Sequence, residues 1–191
     1  MAAEKIVVLV GSASDLPFAH RVEDFLSESR FSVKCEYRIN SAHRNIDKLL
    51  NDLKSYEQSE ESIVYITMAG LSDALSGVVA GNSQHPVIAC PPDLEKHGLP
   101  KAYSTMMMPQ GIAVSLVASP ENAALAAVKI LALTNSSLKD QIAEYMKKLK
   151  STVAKTDADL RQKEEHERER EHIEQIEHTE HGEHDEHGDD L

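Results

Sequence analysis

The sequence predicts an α/β protein built on a five-stranded parallel sheet, with helices on both faces and a long helix after the last strand. Short apolar runs rich in Val and Ile alternate with segments whose apolar residues recur at three- and four-residue steps. The runs are continuously apolar, which is typical of parallel strands buried on both faces. Helical segments between successive strands supply the crossovers that parallel strands need.

Two strand–helix units open the chain. Lys5–Val10 is a β-branched run that predicts the first strand, and Leu16–Leu26 follows with apolar residues at helical spacing. Phe31–Ile39 predicts the second strand, and Asn45–Tyr56 predicts its helix because its apolar residues form one stripe. Both units have the length of a strand followed by a crossover helix.

The alternation continues to residue 133. Ser62–Met68 predicts the third strand, Leu71–Ala80 a helix, and Pro86–Cys90 the fourth strand. Gly111–Val117 predicts the fifth strand, and the alanine-rich Asn122–Leu133 the closing helix. The fold class is therefore a three-layer α/β/α arrangement of the flavodoxin-like or Rossmann-like kind, in which ligands bind beyond the carboxyl ends of the strands.

Charge divides the chain into a body and an extension. Residues 151–191 carry 15 acidic and 5 basic side chains, a net charge of -10, whereas residues 1–150 carry 17 and 15, a net charge of -2. The domains predicted from this are an α/β catalytic domain at 1–135, a helix at 136–170 and an acidic, His-rich, disordered tail at 171–191.

Composition also excludes several classes. No apolar run approaches the roughly 20 residues that cross a bilayer, and Ile6–Val10 is too short for a signal-peptide core, so we expect a cytoplasmic protein with no membrane partner. The negative charge argues against a nucleic-acid partner. Cys35 and Cys90 have neither zinc spacing nor a disulfide framework, so they are expected to be reduced thiols packed in strands.

The first strand-end loop, Gly11–Asp15, has the composition of an anion site. Its hydroxyls and amide groups precede a helix, whose positive end favours an anion such as a phosphate. It lacks the patterns of nucleoside-triphosphate and dinucleotide loops. The structural alternative is that Ser14 or Asp15 only caps the helix.

The second and third loops would meet the first at the same sheet edge. Asn40–Arg44 brings an imidazole, His43, beside a guanidinium, Arg44, which together suit proton transfer next to a bound phosphate. A lone histidine at a strand end is often structural, and it is the position of His43 beside the first loop that favours a functional role. The small residues of Ala69–Gly77 allow close backbone approach to a ligand, or simply tight strand–helix packing.

Taken together, these motifs resemble a known family. Gly11-Ser12-x-Ser14-Asp15, Ser41-Ala42-His43-Arg44, Ala69-Gly70, Pro86-Val87-Ile88 and Met108-Pro109-x-Gly111 occur in this order. The chain resembles, over about residues 4–150, the aminoimidazole ribonucleotide carboxylases and carboxyaminoimidazole ribonucleotide mutases of purine biosynthesis. The resemblance implies carboxylation of 5-aminoimidazole ribonucleotide with CO2, no cofactor and a homo-octamer whose C-terminal helix packs on a neighbouring subunit.

The resemblance also assigns residues. It implies that His43 is the catalytic acid and base that removes the C4 proton of the aminoimidazole. The other implied residues bind substrate. The resemblance implies that the ribose phosphate is held by Ser12, Ser14, Ser41 and Arg44. It implies that Asp15 binds the ribose hydroxyls and that Gly70 and Ser72 shape the carboxylate pocket.

The family has a direct carboxylase branch, a lyase, and a mutase branch, an isomerase. Ser72, Ala74–Gly77 and Cys90–Pro92 look like the carboxylase branch, and the third loop lacks the His-Leu-Pro-Gly of the mutases. Leu71 and Asp73, however, stand where the carboxylases usually have Arg and Asn, which would remove positive charge from the expected carboxylate pocket. The mutase therefore stays open as the alternative.

Three other functions were weighed. A flavodoxin-like electron carrier shares the sheet, but only 4% of the residues are aromatic and none is Trp. A phospho-receiver domain needs acidic residues at strand ends that are here Gly11-Ser12 and Ala69-Gly70. A non-enzymatic metal-binding protein is possible through the tail, where neutral imidazoles recur every third residue among carboxylates. These imidazoles belong to His178, His181, His184 and His187; no metal is expected in the active site.

Overall fold

A computed structural model describes residues 3–182, with side chains described through residue 171. Five parallel strands form one sheet in the order β2-β1-β3-β4-β5. The predicted fold class is therefore confirmed. The strands are β1 (Glu4–Val10), β2 (Lys34–Ile39), β3 (Ser62–Met68), β4 (Val87–Ala89) and β5 (Ser115–Leu116).

Strand β1 lies in the interior of the sheet, between β2 and β3, and its side chains are apolar on both faces. Val8 is in register with Tyr37 of β2 and Ile66 of β3, and Ile6 to Val10 are all fully buried. The chain reverses its direction of strand addition at β1, between β2 and β3. The crevice at such a switch point, outside the carboxyl ends of the strands, is the usual ligand site of open α/β sheets.

Helices cover both faces. On one face, Leu49, Leu53, Leu75 and Val79 of α2 and α3 join a buried cluster with β1 and β3. Elsewhere α1 packs against α6, and α6 also contacts the central strands. The seven helices of the described residues are α1 (Leu16–Glu28), α2 (Ile46–Glu57), α3 (Ala74–Gly81), α4 (Leu94–His97), α5 (Leu99–Met106), α6 (Pro120–Leu131) and α7 (Ser136–Gly182).

The region between β4 and β5 differs from prediction. Residues 91–110 were not expected to be helical, yet they form α4 and α5. Helix α5 buries Lys101 and Thr105 while Leu99 and Tyr103 are exposed, so apolar periodicity gives no signal there. The fifth strand is also much shorter than the predicted Gly111–Val117, since its partner β4 is itself only three residues long.

The C-terminal helix is longer than predicted. Helix α7 continues through Gly182, beyond the expected end at residue 170, because its residues are strong helix formers with pairs such as Asp157–Arg161 at 3.1 Å and i,i+4 spacing. The chain divides into two compact units, Met1–Ala143 and Glu144–Leu191, and the boundary between them falls within α7. The rest of the predicted disordered tail, residues 183–191, lies outside the described residues. Across residues 3–182, no helix combines the length and apolarity needed to span a membrane.

Candidate active site

A cleft of about 540 Å³ lies where the loops after β1, β2 and β3 meet. All eight residues that the sequence analysis assigned to the site line it, so the structure brings the predicted set together. Its lining is Gly11, Ser12, Ser14, Asp15, Ser41, Ala42, His43, Arg44, Ala69, Gly70, Leu71, Ser72 and Leu75.

The first loop turns through a short 3-10 helix, Ala13–Asp15. Ser12 Oγ accepts hydrogen bonds from Ser14 N at 3.4 Å and from Ser14 Oγ at 3.0 Å. Asp15 precedes α1 without making a side-chain cap hydrogen bond. Neither the Ser14 nor the Asp15 side chain therefore caps α1; Ser12, Ser14 and Asp15 bond to one another and line the cleft.

Gly11 lets the first and third loops approach each other. Its N–H donates to Met68 O at 2.8 Å, and a Cβ placed on Gly11 would lie 3.4 Å from Ala69 Cβ. That distance is an ordinary van der Waals contact, so the first and third loops lie side by side here and border one cleft.

Arg44 joins the first two loops. Its Nη2 donates to Gly11 O at 2.8 Å and its Nε donates to Ser41 Oγ at 3.3 Å. Two of the five guanidinium donors are thus used to fix the side chain at the cleft. His43 is exposed at the rim, and within the described residues its imidazole has no hydrogen-bond partner.

Asn40 supports the second loop from below, and sequence reasoning gave it no role. It is fully buried; its Nδ2 donates to Asp52 Oδ2 at 2.9 Å and its Oδ1 accepts from Lys48 Nζ at 2.8 Å. Its backbone N–H donates to Val10 O at 2.8 Å. The only available sequence signal was the i,i+4 pairing of Lys48 and Asp52 on α2.

The Asp73 carboxylate does not enter the cleft, contrary to the expectation that it adds negative charge at the carboxylate pocket. Asp73 is buried and caps α3, since its Oδ1 accepts from Ser76 N at 3.2 Å and its Oδ2 from Thr105 Oγ1 at 2.6 Å. Leu71, by contrast, lies on the lining, 71% exposed, with a left-handed backbone at φ 55°.

Asp15 is the titratable group of the cleft with an altered pKa. Burial and the neighbouring Asp93 carboxylate raise the pKa of Asp15, while its hydrogen bonds and the Lys101 ammonium oppose that shift. Asp93 and Lys101 lie behind the third loop and were not assigned to the site from sequence.

A metal site finds no support in the described residues. Within them, no group of three or more His, Cys, Asp or Glu side chains is placed to hold an ion. His184 and His187 of the predicted tail site lie outside the described residues, and the side chains of His178 and His181 are likewise not described.

Known proteins of one family are similar to this chain. The sequence matches the AIR carboxylase family over residues 5–152. A phosphoribosylaminoimidazole carboxylase of Archaeoglobus fulgidus is 38% identical over 157 residues, covering 82% of this chain and 85% of that protein. An N5-carboxyaminoimidazole ribonucleotide mutase of Methanocaldococcus jannaschii is 36% identical over 159 residues, covering 82% and 98%. Treponema denticola PurE has a crystal structure that matches with a TM-score of 0.78 and 34% identity, covering 82% of this chain and 98% of that one. The chain belongs to the AIR carboxylase family.

Proposed function

We propose that this protein carboxylates 5-aminoimidazole ribonucleotide with CO2 to give 4-carboxy-5-aminoimidazole ribonucleotide, a step of de novo purine biosynthesis. The observation that carries the proposal is the convergence of the eight predicted residues on one cleft. The alternative within the family is the mutase, which rearranges the N5-carboxy nucleotide to the same product. The names of the relatives include both reactions.

The first two loops suit the ribose phosphate. Ser12, Ser14 and Ser41 offer hydroxyl donors, and Arg44 offers the guanidinium N–H groups that its contacts to Gly11 and Ser41 leave over. Charge-assisted bonds from a guanidinium to phosphate are strong and directional. Asp15, at the same end of the cleft, would accept hydrogen bonds from the ribose hydroxyls.

Carbon–carbon bond formation places modest demands on the protein. The aminoimidazole is an electron-rich enamine, so its C4 can attack the carbon of CO2 directly and the electron pair of one C=O moves to oxygen. The C4 proton must then leave, and its bonding electrons restore the aromatic ring. His43 is the base that takes this proton, since it lies at the rim beside Arg44 with its imidazole free of protein partners among the described residues.

The third loop would hold the developing carboxylate. Gly70 and Ser72 line the same cleft as the phosphate-binding loops, and Ser72 adds a hydroxyl. Donors placed where negative charge develops lower the barrier because they need no reorganisation during the reaction. The expected octameric assembly and cytoplasmic location belong to this same proposal.

Two reactions run in parallel test the function. One contains aminoimidazole ribonucleotide with bicarbonate; the other contains carboxyaminoimidazole ribonucleotide with excess 13C-bicarbonate, so that any CO2 released and recaptured labels the product. Turnover in the first reaction is expected. Unlabelled product from the second reaction alone would make the protein a mutase. Folded protein that is silent in both would contradict the proposed function.

A further inference from the structure

Lys101 lies buried behind the third loop of the cleft. Its side chain is 1% exposed, and its Nζ donates to Ala69 O at 2.6 Å and to Leu71 O at 2.5 Å. Asp93 completes the arrangement: its Oδ1 lies 3.7 Å from Lys101 Nζ, and its Oδ2 accepts from Leu71 N at 2.8 Å. We refer to these two residues as the Asp93–Lys101 pair.

The pair fixes three consecutive peptide units. In a trans peptide the N–H and C=O point in opposite directions, and the peptide bonds here are trans. Because Lys101 binds the carbonyls of Ala69 and Leu71, the N–H groups of Gly70 and Ser72 point away from it. Because Asp93 binds Leu71 N–H, the Gly70 carbonyl points away from Asp93.

The outward groups have the pattern a carboxylate beside an amine requires. Gly70 and Ser72 line the cleft, whereas Lys101 and Asp93 do not. Within residues 3–182, none of the three outward groups, Gly70 N–H, Gly70 C=O and Ser72 N–H, has a hydrogen-bond partner. Two donors suit carboxylate oxygens, and one acceptor suits an amino group on the adjacent ring carbon.

The charge of Lys101 adds to the effect of its position. A buried ammonium at two peptide carbonyls polarises those peptide units, which strengthens their N–H groups as donors in a site of low dielectric. The Asp93 carboxylate offsets the buried charge, since it lies within ion-pair distance. The third loop therefore has a cation, Lys101, bound at its carbonyls, although no basic side chain lies on the loop itself.

We propose that Lys101 and Asp93 are positioning residues that hold the third loop so that Gly70 and Ser72 bind the carboxylate of the substrate and product. The ligand named here rests on the proposed function; the anchoring of the loop does not. The pair also accounts for a working carboxylate pocket with Leu71 at the loop apex, where the related carboxylases usually have Arg.

The kinetic test compares Lys101→Met with Lys96→Met, which removes an exposed lysine from α4. For Lys101→Met we expect kcat to fall by about 10–100-fold, because the donors lose their alignment. The KM for the nucleotide should stay within about threefold, because the phosphate-binding loops keep their contacts. Lys96→Met should match the wild type. An unchanged kcat, or a loss confined to KM, would overturn the proposal.

A second variant keeps the test valid if Lys101→Met does not fold. Lys101→Met leaves Asp93 with the His97 imidazole, 3.5 Å from its Oδ2, in place of a buried ammonium, which is destabilising. The double variant Lys101→Met with Asp93→Asn removes both charges and still removes the anchor, so the same fall in kcat is expected from a stably folded protein. Wild-type kcat in the folded double variant would show that the pair only stabilises the fold.

Hydrogen exchange measured by mass spectrometry tests the anchoring without substrate. Within the segment 69–73, the hydrogen-bonded amides of Leu71 and Asp73 should exchange at least about tenfold faster in Lys101→Met than in the wild type or Lys96→Met, while β1 and β3 keep their protection. Unchanged exchange in this segment would overturn the anchoring. If the wild type turns over neither nucleotide, the proposed function fails and the carboxylate part of this inference fails with it, while the exchange result alone decides the anchoring.

Discussion

His43 and Arg44 are neighbours in sequence, but the fold uses them differently. Arg44 is fixed by contacts to Gly11 and Ser41, whereas the His43 imidazole is exposed and makes no hydrogen bond within the described chain. A phosphate clamp gains from being rigid, and a base must be free to reach the proton it removes. Under the proposed function, Arg44 therefore serves phosphate binding and His43 serves proton transfer.

Replacing His43 with Asn should separate those two roles. We expect turnover by His43→Asn to fall by about 10²–10⁴, because a positioned general base contributes that much. Binding of the nucleotide, measured by calorimetry, should change little because Arg44 and the serines remain. His20→Asn, on an exposed position of α1, is the control. Near-normal turnover by His43→Asn would exclude it as the base.

The raised pKa of Asp15 predicts that this side chain makes the stability of the folded protein depend on pH. Its pKa is raised in the folded protein, mainly by burial and then by Asp93, so the ionised form is disfavoured relative to the unfolded chain. Stability from this group is present at low pH and lost as the pH rises through the folded pKa, so at pH 7 ionised Asp15 costs stability.

The variant Asp15→Asn should therefore have a higher Tm than the wild type at pH 7, and the difference should vanish near about pH 3, where both side chains are neutral. Its affinity for the nucleotide should fall because an accepting carboxylate is lost. Asp24→Asn, at an exposed position of α1, serves as the control in thermal melts. A Tm at pH 7 equal to or below that of the wild type would contradict this assignment.

At the scale of elements, strand β3 was predicted to the residue and α5 was missed. Strand β3 has six consecutive buried residues after the polar Ser62 and is followed by Ala69 and Gly70, which is an unambiguous pattern. Helix α5 buries a lysine and a threonine, and those residues are inside because of the third loop they contact rather than because they are apolar. A burial driven by a distant hydrogen bond leaves no periodic signal in the sequence.

In the site, too, the sequence predicted some residues and missed others. The groups at the cleft surface were predictable because each follows a strand end as a contiguous motif, such as Gly11–Asp15 or Ser41–Arg44. The residues that support these groups could not be predicted; they are Asn40, Asp93 and Lys101. Asp93 and Lys101 contact a loop that lies elsewhere in the sequence, and Asn40 acts through a buried side chain. Conversely, the effect expected of Asp73 was wrong because its orientation is set by Ser76 and Thr105.

The join between β2 and α2 should depend on Asn40. Asn40→Ala removes a fully buried amide that bonds to both Asp52 and Lys48, and it leaves these two side chains with only their bond to each other, so we expect a loss of about 1–3 kcal/mol in the free energy of unfolding. Urea denaturation measures this. Asn51→Ala, an exposed amide on the same helix, should be close to neutral. Equal midpoints for the two variants would show that Asn40 does not support the loop.

At the scale of the whole molecule, the family match and the charge divide the chain at nearly the same place. The match ends at residue 152, and residues 151–191 hold most of the net negative charge. The side chains of residues 151–171 are all exposed. Residues 151–171 of α7 therefore have no buried side chain within this chain that catalysis would need.

A chain ending at residue 165 should keep turnover within about twofold of the full-length protein, since every residue lining the cleft precedes it. Light scattering on both forms should give an octamer. A monomer in the full-length protein would refute the proposed assembly, and an octamer that is lost only in the shortened chain would assign the distal helix to the subunit interface.

The order of the segments along the chain has a consequence for synthesis. Every residue that lines the cleft lies between Gly11 and Leu75, but the pair that orients its third wall lies at positions 93 and 101. At about 5–20 residues per second, the ribosome completes the walls a few seconds before Lys101 is added. During that interval the nascent chain contains every residue that lines the cleft but lacks the contacts of Lys101 with the third loop, so under the proposed role of the pair the site is complete only after α5 has been made.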